Sequence, residues 1–180
     1  QTVQATGTLR PVRLVAVGAQ VSGRITAMKV AIGDAVKAGD LVATIDSVTR
    51  ENDLKSAEAA LADVRAQKRQ KEASLVYAEA VLERETATFA KQASSKDALE
   101  SARATVETTR AEIDSLAAQI TQAEVKVDTT RVDLGHTRIV APIDGTVLLV
   151  VTQEGQTVNA VQSAPTIVVL GRIDRMTVRA

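Results

Sequence analysis

Cysteine and tryptophan are absent from this 180-residue chain, and Tyr77 and Phe89 are its only aromatic residues. No disulfide framework and no thiolate metal site can be built from it. No row of rings offers a stacking platform for bases. An excess of one charge is missing too: 22 basic residues balance 22 acidic ones, so no net field recruits nucleic acid or an anionic membrane. No apolar run approaches the roughly 20 residues of a membrane span, and no basic-then-apolar leader opens the chain. The chain starts at Gln1 and not at methionine, as expected of a processed or excised piece whose signal or anchor lies upstream.

Glycine and proline are missing from residues 47–134, which are rich in Ala, Glu, Lys, Arg and Gln. Those are good helix formers, and the segment carries a heptad pattern. Leu99, Val106, Ile113, Ile120, Val127 and Leu134 recur at seven-residue spacing. Leu54, Leu61, Lys68, Leu75, Leu82 and Phe89 form the matching ladder, so that Leu54 faces Leu134 and Phe89 faces Leu99 when the chain folds back near residue 94. The second core position of each heptad carries Ala57, Val64 and Ala78 on one helix and Ala102, Thr109, Leu116, Ala123 and Thr130 on the other; the small residues among them permit close approach. From Leu54 to Phe89 the first helix spans about 54 Å, longer than a small domain, so the hairpin is expected to project as a rod. Lys68 faces Ile120 as a register-fixing defect that snorkels its charge outward. Asp46 or Ser47 is expected to cap the first helix, Ser94 with Asp97 to form a capping box at the restart, and Gly135 to end the second helix in a left-handed conformation.

The flanking segments read as strands punctuated by turn residues, and they repeat one another. Ala19-Gln20-Val21-Ser22-Gly23-Arg24-Ile25 parallels Ala141-Pro142-Ile143-Asp144-Gly145-Thr146-Val147, and Gly33-Asp34-Ala35-Val36 parallels Gly155-Gln156-Thr157-Val158. Both halves close on apolar strands, Leu41–Ile45 and Ile167–Leu170. Neither half has enough hydrophobic surface to fold alone, so the two pair into one small β-sandwich. The fold class is α+β: a long antiparallel coiled-coil hairpin, residues 47–134, inserted between residues 17–46 and 137–170.

Catalytic and cofactor chemistry finds no foothold. Met28-Lys29 mimics a biotin-attachment sequence, but a carrier lysine sits on the connection between the halves, where this chain has its helices. Gly18-x4-Gly23-Arg24 lacks the Lys-Ser/Thr of a phosphate loop. His136, the single histidine, stands at a helix end with no clustered carboxylates, which suits packing better than zinc. No cofactor, metal or catalytic residue is expected. Arg65, Lys68, Arg69 and Lys71 form a basic block; with Glu79, Glu83, Glu85, Glu112 and Asp114 it is expected to supply ion pairs between neighbouring hairpins, each worth about 0–1 kcal/mol when exposed.

A lipoyl-like domain split by a coiled-coil hairpin resembles the periplasmic adaptor, or membrane fusion, proteins of bacterial tripartite efflux pumps. Val17-Gly18-Ala19-Gln20-Val21-Ser22-Gly23, Val30-Ala31-Ile32-Gly33-Asp34 and Thr137-Arg138-Ile139-Val140-Ala141-Pro142 are similar to the MacA-type branch, which includes siderophore-export adaptors. The resemblance implies that residues 1–16 begin, and residues 171–180 re-enter, a β-barrel domain completed after Ala180. It implies a homo-oligomer, a hexameric ring, joining an inner-membrane ABC transporter to a TolC-like outer-membrane channel, in the periplasm and held to the inner membrane by a segment outside this chain. At the hairpin tip, residues 91–97, the family contacts its channel through Arg, Leu and Ser. Arg84 and Ser95 match; Thr88 replaces the leucine, with Phe89 beside it as an apolar substitute. Gln162 stands where the branch places a glutamine that narrows the conduit of the assembled ring. An adaptor for a proton-driven RND pump, a biotin or lipoyl carrier domain and a coiled-coil spacer are the alternatives; the split repeat argues against the spacer.

Overall fold

The computed structural model describes residues 8–160 and 164–179. Its elements are β1 (Thr8–Gly18), β2 (Gly23–Met28), β3 (Ala35–Val36), β4 (Leu41–Ile45), α1 (Val48–Ala90), α2 (Lys96–Gly135), β5 (Arg138–Val140), β6 (Gly145–Val150), β7 (Thr157–Val158) and β8 (Thr166–Arg179). This is an α+β chain whose two long helices stand in sequence between two β halves. It divides into two units, residues 52–130 and residues 1–51 with 131–180.

In the β unit, one sheet has the order β1-β8-β6-β3 and the other β5-β4-β2-β7. Each half therefore lends its shortest strand to the sheet of the other: β3 pairs with β6, and β7 with β2. The sequence repeat becomes a pseudo-two-fold symmetry that extends to single hydrogen bonds. Gly33 donates its N–H to Val147 O at 2.8 Å, and its twin Gly155 donates to Ile25 O at 2.9 Å. Val147 in turn donates to Asp34 O, and Ile25 to Gln156 O, both at 2.9 Å. Ala38 N–H reaches Asp144 Oδ1 at 2.7 Å, while its twin Ala160 N–H reaches Ser22 Oγ at 2.9 Å. The bulges repeat as well, between Leu41 and Ala43 against β5 and between Val17 and Gly18 against β8.

The core follows the same rule. Buried residues come as twins: Val17 with Ile139, Ile25 with Val147, Val36 with Val158, Val42 with Ile167, Ile45 with Leu170. Neither half can complete this core alone, because each strand of one half packs or pairs with strands of the other. Gly33, Gly39 and Gly155 turn the chain with positive φ, which an L side chain resists.

In the hairpin unit the seam follows the ladders. Ala57, Leu61 and Val127 are buried together, with Leu54, Ile120 and Ala123 against them. Leu99, Ala102, Val106 and Leu116 are buried further along. Cross-helix ion pairs hold the same register: Arg65 to Glu124 at 2.6 Å, Arg110 to Glu79 at 2.9 Å and Lys71 to Glu112 at 2.6 Å. The side-chain hydrogen bond from Arg110 to Glu79 raises the guanidinium above its ordinary pKa, with the charges of Glu107 and Glu79 adding to it.

Four expectations change. Phe89 is 40% exposed, so its ring is only partly taken into the seam at the level of the buried Leu99. Arg65 and Lys71 find acidic partners within their own hairpin, and Lys68 reaches Glu72 one turn on at 3.6 Å, so most of the basic block is not reserved for neighbours. Gly135 is the last helical residue of α2, without positive φ. The helix stops because Thr137 turns both its N–H and its hydroxyl onto Leu134 O, at 3.1 and 2.7 Å. At the restart, Ser95 and not Ser94 is the cap.

Candidate functional site

The hairpin tip is built from the last turn of α1, a five-residue link and the first turn of α2. The Ala93 N–H donates to Thr88 O at 3.0 Å and the Gln92 N–H to Phe89 O at 2.9 Å. These are the paired bonds of a Schellman ending, which needs a left-handed residue just past the helix. Gln92 supplies it, with φ 56°. The link is then tied down by Ser94, whose hydroxyl donates to Glu85 Oε2 at 2.6 Å. Ser95 Oγ accepts the Ala98 N–H at 3.1 Å and caps α2.

The sequence-selected residues fall on this framework. Thr88 donates its hydroxyl to Arg84 O at 2.9 Å and lies within reach of Glu85 O at 3.1 Å. Its carbonyl also accepts the N–H groups of Lys91 and Ala93. Thr88 is thus a structural node of the turn. Arg84, Thr88 and Phe89 are exposed side by side along α1, and Arg84 makes no ion pair among the described residues. Ser95 is exposed and uses an oxygen lone pair for the cap, which leaves its O–H proton free to donate outward. The tip therefore presents a cation, an aromatic ring and a hydroxyl donor on a tightly bonded turn, a set suited to binding backbone carbonyls or carboxylates of a partner. The bond between Glu85 and Ser94 that braces that turn has no signal in the sequence, where Ser94 reads as part of a capping box and Glu85 as an ion-pair partner. A heptad reading would flag Glu85, a charge at a core position.

Gln162 lies outside the described residues. The segment around it is framed by the Asn159–Ser22 contact at 3.3 Å and by Ala19 N–H on Pro165 O at 3.1 Å. The twin of that last bond joins Ala141 N–H to Asp40 O at 2.9 Å. Asp40 comes four residues after Val36, whereas Pro165 comes seven after Val158, so the Gln162 segment is an insertion relative to its twin. That asymmetry was readable in the repeat.

The other candidates occupy ordinary positions. Lys29 follows β2, exposed, with its N–H on Val42 O at 2.8 Å. Half-buried His136 donates its N–H to Val132 O at 3.0 Å at the end of α2. Among the described residues no three His, Cys, Asp or Glu side chains gather as a metal site, and no helix is long and apolar enough to cross a membrane.

Comparison with known proteins covers both units. The family described as RND MFP, barrel-sandwich hybrid domain, matches residues 13–170. The macrolide export protein MacA of Escherichia coli O157:H7 is 42% identical over 180 residues, all of this chain and 48% of that protein. The pyoverdine export membrane fusion protein PvdR of Pseudomonas putida is 47% identical over 178 residues, 99% of this chain and 45% of that protein. The crystal structure of MacA from Actinobacillus actinomycetemcomitans superposes with a TM-score of 0.91 at 41% identity, covering 96% of this chain and 53% of that one. The chain thus spans about half the length of the curated relatives it matches.

Proposed function

The chain belongs to the RND membrane fusion protein family, whose barrel-sandwich hybrid domain it carries, and on that premise we propose that it is the hairpin-bearing part of a periplasmic adaptor in an export machine. In this reading it bridges an inner-membrane ABC-type transporter to a TolC-like outer-membrane channel and forms part of the conduit. Macrolides, peptides and siderophores are the cargo classes, and the relatives named for macrolide and pyoverdine export support two of them. One observation carries the proposal: the match to MacA, 42% identical, spans the whole chain, hairpin and β unit together. The chain performs no chemistry; ATP hydrolysis belongs to the transporter. The protein resides in the periplasm, anchored to the inner membrane through a segment outside these residues.

The roles of single residues follow. Several copies, a hexamer, stand side by side with their hairpins forming a tube. Arg84, Thr88, Phe89 and Ser95 meet the outer-membrane channel, and Gln162 forms a ring of amides that narrows the conduit and hinders backflow. Residues 1–16 and 171–180 lead into a β-barrel domain; the ten-residue pairing of β1 with β8, from Thr8↔Arg179 to Gly18↔Thr166, supports that continuation. The family description names RND, which favours one second reading: an adaptor for a proton-driven RND pump.

The test uses the full-length protein. Ser95→Arg places a bulky cation on the tip where the hydroxyl donates, and should abolish channel binding and efflux while folding is kept. Unchanged drug susceptibility and unchanged channel pull-down would reject the tip assignment. The inner-membrane partner that co-purifies, an ABC transporter or an RND pump, decides between the two readings.

A further inference from the structure

The two helices of the hairpin leave two broad faces, one on each side of the seam, and these faces are chemically opposite. The first holds the ion pairs Arg65–Glu124 and Arg110–Glu79, with Glu72, Arg103 and Glu107 in the same rows. A depression of about 580 Å³ over Leu82 and Val106 is walled by Glu79, Glu83, Arg103 and Glu107. On the other side a depression of about 460 Å³ over Leu116 is walled by Gln67, Gln70, Ser115 and Gln119, with the Lys71–Glu112 pair. Along that second face, from Ser56 to Thr129, the charged residues are Asp63, Lys71, Arg84, Glu112 and Lys126, and Lys71 is paired with Glu112; the remainder are Ser, Thr, Gln, Ala, Val and Tyr.

Four hydroxyls of the uncharged face are turned inward. Ser74 donates to Gln70 O at 3.1 Å, Thr105 to Ser101 O at 2.9 Å, Thr108 to Thr105 O at 3.0 Å and Thr129 to Val125 O at 2.8 Å. Each satisfies its donor within its own helix, so these hydroxyls offer passing solutes weak acceptors, and the polar groups that remain, the Gln67, Gln70 and Gln119 amides among them, are uncharged. The outer edges of the hairpin differ from both faces. The position farthest from the seam, usually polar, is alanine at each heptad from Ala59 to Ala87 on α1, and alanine or valine from Ala104 to Val132 on α2, all exposed. Such edges suit helices of neighbouring copies lying close together, which leaves one broad face for the inside of a tube and the other for the outside.

Resting on the adaptor reading above, we propose that the uncharged face lines the conduit and the ion-paired face looks outward. In a ring every lining residue recurs in each copy, so one charged side chain becomes a charged ring. A lining must hold a solute weakly enough to release it. The ion-paired face would stack alternating acidic and basic rings along the path, each a trap for one sign of charge and a barrier to the other. The uncharged face presents few such rings, and Lys71 already neutralises the one at Glu112. A conduit lined this way passes cations and anions alike and leaves selectivity to the transporter.

Residues 1–180 contain no cysteine, so once any cysteine elsewhere in the full-length protein is replaced by serine, single cysteines report each face directly. In the assembled full-length protein, Ser115→Cys and Gln119→Cys mark the uncharged face, Thr121→Cys and Glu107→Cys the ion-paired one. All four sites are exposed in the single chain. A maleimide carrying a bulky polyethylene glycol should label Thr121→Cys and Glu107→Cys roughly tenfold or more faster than the other two, because the tube admits only small molecules. A small maleimide should label all four, and dissociation should erase the difference. Equal or reversed rates in a protein whose assembly is confirmed by light scattering would overturn the face assignment and leave the adaptor reading standing. A protein that stays monomeric with its transporter and channel present would overturn both.

Discussion

The β unit and the hairpin are two answers to the same composition. Both are built from Val, Ile, Leu and Ala with hardly an aromatic ring, yet they reach order by opposite routes. The β unit exchanges strands between halves, so almost every bond has a distant twin, and its core residues Ile25, Val147, Ile167 and Leu170 are fully enclosed. The hairpin repeats a local contact, and its seam keeps an edge open to water: Leu61 and Leu99 each remain 8% exposed. Symmetric closure makes a compact unit that fails as a whole. Serial repetition makes a long element in which each layer contributes separately, and which can carry different chemistry on each face.

The largest test of that contrast is a pair of truncations. Ile167→Ala should destabilise the β unit by about 4 kcal/mol, because a cavity between two bonded sheets cannot collapse. Leu61→Ala, which removes a comparable side chain from the seam, should cost about 2 kcal/mol, because neighbouring helices can close on the gap. Denaturant titration followed by hydrogen exchange would assign each loss to its unit. Equal losses would mean that the seam is as rigid as the sandwich.

Next in size is Gly23→Ala. A Cβ there would lie 2.5 Å from Ile45 Cγ2, inside the β core. Ile45 is 2% exposed and has little room to move, so overpacking should cost about 2 kcal/mol and lower the melting temperature. The hairpin offers no counterpart, since residues 52–130 contain no glycine at all.

What was legible in the sequence follows the same division. The repeat of Gly23 and Gly33 in Gly145 and Gly155, and the ladders from Leu54 and Leu99, are patterns of apolar period and turn geometry, and they locate both units. The exchange of β3 and β7 between sheets was not legible, because a two-residue strand has no period to read. The helix ends also misled: Gly135 suggested a left-handed stop, but the neighbouring Thr137 satisfies the Leu134 carbonyl first. Capping is decided by which of adjacent hydroxyls reaches an amide, and Ser94 is drawn away by Glu85 while Ser95 caps. At the tip it is the family resemblance that singles out Arg84, Thr88 and Ser95; the bonds that hold them, through Thr88 and Glu85, follow no pattern in the sequence.

A smaller effect comes from an imperfection in the symmetry. Thr152 is 5% exposed, and its Oγ1 is buried without a hydrogen-bond partner. Its twin in the first half is Val30, which packs against the same core. Thr152→Val keeps the shape and removes the unpaired hydroxyl, so it should stabilise the β unit by about 1 kcal/mol. A destabilised variant would mean that a buried water satisfies the hydroxyl and is lost with it.

The smallest predicted effect lies at the far end of the hairpin. Gln92 holds φ 56° at the left-handed position of the Schellman ending, where glycine carries no Cβ penalty. The two bonds it completes, Gln92 N–H to Phe89 O and Ala93 N–H to Thr88 O, are backbone bonds and survive substitution. Gln92→Gly should therefore stabilise the turn by about 0.5 kcal/mol, the relieved strain being partly offset by the greater freedom of glycine in the unfolded chain. Amide exchange at Lys91, Gln92 and Ala93 should slow by a factor of about two to three, with the β unit unaffected. If exchange quickens instead, the Gln92 side chain itself braces the tip, and the turn depends on more than the Ser94–Glu85 and Ser95–Ala98 bonds that now account for its order.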